Sequence, residues 1–239
     1  MTLTTKKIFP IVLTLIFTGG LLLAGSYSKK LGLTISDNNY LNGQFNYQIL
    51  LLIITALSLL TNFLLNKAHF LNYFSFGQIS ALGQELRLFG IKQGDSWIKT
   101  GLSLCLVIST VTAIFMYFQF KQTNLNWSSL QSGIFWIILF SLTNSFGEEM
   151  IYRLGIVSPL KGLFAPTTIF FISAILFGLP HFAGMPNGII GATIAGILGF
   201  VLAKSMFETN GFFWAWTIHF IQDVIIIGTL YLTNSNASR

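Results

Sequence analysis

Seven apolar runs, each near the ~20 residues an α-helix needs to cross a hydrocarbon layer, divide the chain: Ile8 to Ala24, Tyr47 to Leu65, Leu102 to Phe120, Ile134 to Val157, Thr168 to Gly184, Gly188 to Met206 and Phe212 to Leu232. In lipid every backbone N–H and C=O must find a partner within the protein, and an α-helix satisfies them within its own segment. Of the 239 residues, 53% are hydrophobic and only 8% charged, too little polar surface to cover a soluble globule of this length. The fold class expected is therefore all-α, a polytopic membrane protein of about seven transmembrane helices in contact with the lipid bilayer.

The net charge of +6 does not indicate nucleic acid, because the basic residues are scattered between apolar runs and form no phosphate-binding stripe. Membrane orientation accounts for them better. With the N-terminus inside, Lys6, Lys7, Lys67, Arg87, Lys92, Lys99, Lys161 and Lys204 fall on inner segments and Arg153 near that face, against Lys29, Lys30, Lys121 and Arg239 outside. The expected topology is N-terminus cytoplasmic and C-terminus external. Cys105 is the single cysteine, which rules out an intrachain disulfide and a cysteine-based metal site.

Lys6-Lys7 followed by an apolar run and by Ala24-Gly25-Ser26 has the outline of a signal peptide. The run is longer than a usual signal core and the rest of the chain is itself membrane-embedded, so an uncleaved first span is expected. Between Asn66 and Thr100 lies the longest polar insertion. Its stretch Leu82–Ile91 mixes apolar and charged residues and reads either as a helix lying in the interface or as an ordinary loop. In the sixth run, Gly188, Ala192 and Gly196, with Gly191, Ala195, Gly199 and Ala203, set small residues four apart, a pattern that lets helices approach closely. No linker or repeat divides the chain. One membrane domain is expected over 1–239, with N-terminal spans and the interfacial segment in 1–129 and the chemistry in 130–232.

Against this apolar background the ionisable residues stand out, since charge inside a membrane helix is costly and marks functional candidates. Glu148 and Glu149 are adjacent in a chain with only seven carboxylates. Glu149 and Arg153 are four apart and share a helical face, so they can pair, while Glu148, rotated ~100° away, is left for chemistry. In Phe177-Gly-Leu-Pro-His181, Pro180 lacks an N–H and would free the carbonyl of Leu176, opening polar space beside His181. In His219-Phe-Ile-Gln-Asp223 the imidazole and carboxylate share a face; Asp223 either fixes the tautomer of His219 or joins it in ligating a metal. About the turn Gly162–Pro166, Glu148 and His181 each lie ~25 Å along their helices. They and His219 are expected at one level, in the inner part of the bilayer.

Together these three motifs resemble the CAAX-protease and bacteriocin-processing (CPBP, or Abi) family of intramembrane proteases, whose pattern is Glu-Glu-x-x-x-Arg, Phe-x-x-x-His and His-x-x-x-Asn or Asp. The resemblance covers about Ile134 to Leu232. It implies a C-terminal catalytic helix bundle, with Glu148 as the base that activates water, His181 and His219 as its essential partners, and Asp223 where the prenyl-protein proteases carry asparagine. Glu149 and Arg153 would support the catalytic helix. The function implied is hydrolysis of a peptide bond in a membrane-associated protein or peptide, near the cytoplasmic face of a prokaryotic plasma membrane. The alternatives are a non-proteolytic bacteriocin immunity or accessory protein and, from the buried Glu, His and Asp, a proton-coupled transporter. No cofactor is certain. His181, His219 and Asp223 would suit Zn2+, two imidazoles and a carboxylate leaving a fourth position for water, and a metal-independent route is also open.

Overall fold

A computed structural model describes residues 2–184 and 188–235. Nine α-helices account for most of the described chain: α1 (Leu3–Leu31), α2 (Asn39–Leu65), α3 (Lys67–Tyr73), α4 (Trp97–Phe120), α5 (Leu130–Glu149), α6 (Gly155–Leu160), α7 (Pro166–Gly178), α8 (Gly188–Thr209) and α9 (Phe213–Asn234). Six helical segments are long and apolar enough to cross a membrane, the fourth being the continuous stretch Trp127–Leu160. The run expected as a fifth span forms a shorter apolar helix, Pro166–Phe182. Pro180 shortens it, since a residue without an N–H cannot continue the ladder, and the chain tightens into a 3-10 turn over Leu179–Phe182.

The outward faces are apolar, as lipid contact requires: Leu106 is 71% exposed and Ile189 75%. The centre is the continuous α5–α6 segment, around which α1, α2, α7, α8 and α9 pack; every residue from Met150 to Val157 is buried. Between α5 and α6 the helix widens into a π turn, Met150–Leu154, closed where the Gly155 N–H reaches the Met150 carbonyl. Such insertions often mark functional sites. Small residues allow the closest helix contacts. Ala174 and Phe177 of α7 lie against Gly196 and Gly199 of α8, which gives that part of the small-residue stripe of the sixth run to packing, and the Tyr231 ring of α9 lies on Gly133 of α5.

Residues 82–91 form no interfacial helix. Leu86 and Ile91 exchange backbone hydrogen bonds across a single 3-10 turn, Arg87–Phe89. Here Gly90, at φ +69°, adopts a backbone that a β-carbon disfavours. Beside it, Lys99 donates to Asp95 at 2.8 Å, holding that carboxyl below its ordinary range. This loop is tied to the end of α8. Trp97 Nε1 donates to Glu208 Oε2 at 2.9 Å, and Lys204 pairs with the same carboxylate. Lys204 is thus buried and paired, not a free loop charge. At the same end, Lys7 lies 4.8 Å over the Phe164 ring and Lys161 lies 5.0 Å from both Tyr73 and Phe207. Arg239, counted above on the opposite side, lies outside the described residues.

Candidate active site

The structure brings Glu148, Glu149, His219 and Asp223 together and sets His181 beside them across Phe177. Glu149, on the last turn of α5, accepts from His219 Nδ1 at 2.8 Å through Oε1 and forms an ion pair with Arg153, whose Nε lies 3.2 Å from Oε2. Both Glu149 and Arg153 are wholly buried, so the expected ion pair lies inside the bundle and not at a wet helix end. The arginine also stacks on Phe177, with Cζ 3.9 Å from the ring centroid, a contact favoured by the negative face of the ring. Glu149 therefore joins α5 to α9 and secures the His219 imidazole.

That geometry corrects the sequence expectation for the tautomer. A carboxylate can only accept, so Nδ1 of His219 carries the proton given to Glu149, and it is Nε2 that faces the site. Asp223 does not orient His219 through Nδ1; its Oδ1 lies 3.7 Å from Nε2, the same separation as Glu148 Oε2. His181 is held in the same way. Its Nδ1 donates to the Phe177 carbonyl at 2.8 Å, the residue one helical turn before it, again leaving Nε2 free.

Asn144 completes the cluster and was not singled out from the sequence. Its amide donates to Glu148 Oε1 at 3.3 Å and to Asp223 Oδ2 at 3.0 Å, bridging the two carboxylates. The signal was present, since Asn144 precedes Glu148 by one helical turn in an apolar run. Its link to Asp223, on another helix, was not visible.

Glu148, at 14% exposure, is the more open of the paired acids. With His181 it borders a cavity of about 430 Å3 walled by Leu21, Leu22, Gly25 and Ser26 of α1, Tyr47 of α2, Tyr152, and Pro180, Ala183 and Gly184 beyond α7. These segments lie toward the C-terminal end of α1 and the N-terminal end of α2. Lys6, Lys7, Lys67 and Lys161 are at the other end. The cavity therefore opens away from the lysine-rich end, not toward it as expected. The ~25 Å from the turn at 162–166 already carries Glu148 and His181 past the middle of a hydrocarbon core of ~30 Å.

A zinc site is not assembled. No three His, Cys, Asp or Glu side chains among the described residues converge so as to hold a metal ion. Of the candidate ligands, His219 and Asp223 lie together, but His181 is set apart by the Phe177 ring, which packs on both imidazoles at centroid distances of 4.6 and 5.6 Å. Asp223 is also engaged by Asn144.

Apolar membrane-length helices enclosing buried acids and imidazoles around a small cavity define a polytopic membrane protein with a polar site in its interior. Residues 129–225 match the family model described as Type II CAAX prenyl endopeptidase Rce1-like, a model of the CPBP family. No curated protein and no solved structure matches it.

Proposed function

We propose that the chain is an endopeptidase that hydrolyses a peptide bond of a membrane-associated protein or peptide with water activated by Glu148. The observation that carries this reading is the division between the adjacent acids. Glu149 is committed to Arg153 and His219, whereas Glu148 borders the cavity. Glu148 takes a proton from water as the oxygen attacks the scissile carbonyl carbon, then returns it to the leaving nitrogen as the C–N bond breaks. His219 offers an N–H group to the oxyanion, and His181, its Nδ1 donating to the Phe177 carbonyl, presents Nε2 to the cavity as an acceptor for water. Because its Nδ1 already donates to Glu149, His219 offers that N–H through Nε2 in its doubly protonated form. Glu148 and Asp223, flanking His219 Nε2, compensate that charge. Asn144 keeps the two carboxylates apart, and no step passes through a metal ion.

Purified protein incubated with membrane-spanning peptides, prenylated and unprenylated, tests this reading. The expected result is two products whose masses sum to that of the peptide plus one water, formed equally after exhaustive chelation. Failure to cleave any of them, or cleavage that requires added metal, would contradict it.

A further inference from the structure

The cavity and most of the basic residues occupy opposite ends of the bundle. Ser26, on the cavity rim, is one turn from Lys29 near the end of α1, and Tyr47 lies in the first third of α2. Ala183 and Gly184 follow α7, whose other end starts at Pro166 beside Lys161. Three separate helices thus place the opening at the same end. Lys204 is paired with Glu208 and Arg153 with Glu149 inside the bundle, so neither is a free interfacial charge. The remaining basic residues are Lys6, Lys7, Lys67, Arg87, Lys92, Lys99 and Lys161 at the end away from the cavity, against Lys29, Lys30 and Lys121 at the cavity end among the described residues.

An excess of Lys and Arg in short connections retains that end in the cytoplasm. We infer that the active-site cavity opens toward the non-cytoplasmic leaflet, and that the bond cleaved lies in a segment entering from that side: an exported peptide, or the non-cytoplasmic flank of a membrane-spanning one. This rests on the proteolytic reading above and sets its substrate class. The wall chemistry agrees, because apart from Glu148 and His181 the cavity is bordered by leucine, glycine, serine, tyrosine, proline and alanine and by no lysine or arginine. Such walls accept an extended, weakly polar segment of the kind found where a transmembrane helix meets the surface.

Single-cysteine variants made on Cys105→Ser, whose native thiol is buried in α4, read the sidedness without any need for activity. Ser26→Cys and Tyr27→Cys mark the cavity end, and Lys92→Cys marks the other. A membrane-impermeant maleimide should label the first two in intact cells and Lys92→Cys only in inverted vesicles. Labelling of Ser26→Cys and Tyr27→Cys from the cytoplasmic side alone, or of all three from one side, overturns the inference. A second arm places the same cleavable stretch on either flank of a reporter helix. Cleavage on the non-cytoplasmic flank supports the assignment and cleavage confined to the cytoplasmic flank refutes it. Cleavage on neither flank, with the labelling as expected, would instead count against the proteolytic reading.

Discussion

Arg153 is the most exacting residue in the molecule, a guanidinium with no solvent exposure whose three nitrogens make no hydrogen bond among the described residues. It depends on Glu149 and on the face of Phe177. Removing one partner of such a pair leaves an uncompensated buried charge, which costs about 3–5 kcal/mol. Arg153→Ala should lower the melting temperature of the protein in detergent accordingly, and the double variant Arg153→Ala, Glu149→Gln should recover part of the loss. Equal melting temperatures for wild type and Arg153→Ala would show that the pair contributes nothing. Asn144 has a subtler duty, donating one N–H to each of two carboxylates. Asn144→Ala should slow cleavage roughly ten-fold, the equivalent of about 1.4 kcal/mol for a lost hydrogen bond to charge, while the melting temperature moves little. A rate equal to that of wild type would remove Asn144 from the site.

At the scale of elements, α7 and α8 lie so close that a β-carbon on Gly178 would meet the backbone carbonyl of Ala192, which cannot yield as a side chain does. Gly178→Ala should destabilise by about 1–3 kcal/mol, the usual cost of overpacking. Because Gly178 follows Phe177, it should also disturb His181 and reduce activity. Gly19 in α1 is the control, with nothing within 4 Å of its added carbon. Gly19→Ala should be neutral or raise stability by up to about 1 kcal/mol, because alanine is the better helix former; a comparable loss at both positions in thermal unfolding would mean that packing is not the cause. The helices themselves were legible because apolar length alone dictates them. The exceptions are informative. Residues 82–91 carry a helix-compatible mixture of residues, yet Gly90 and the ties to Gln93, Asp95 and Glu208 draw them into a loop. Tertiary contacts there outweigh a weak local pattern.

Across the whole molecule, spacing disclosed the residues of the site but not their connections. Glu149 and Arg153 were readable as a pair because they share one helix. The bond from His219 to Glu149, and that from Asn144 to Asp223, join α9 to α5, and no periodicity within a helix contains them. The same limitation hid which end the cavity faces, since its walls come from α1, α2, Tyr152 and the segment after α7. Once assembled, these elements give adjacent carboxylates different surroundings, and the account depends on that difference. The decisive measurement is the initial rate of peptide cleavage by purified Glu148→Gln, with its melting temperature taken alongside. The account predicts a rate at the no-enzyme background and a melting temperature close to that of wild type. Cleavage at the wild-type rate by a folded Glu148→Gln protein would contradict it.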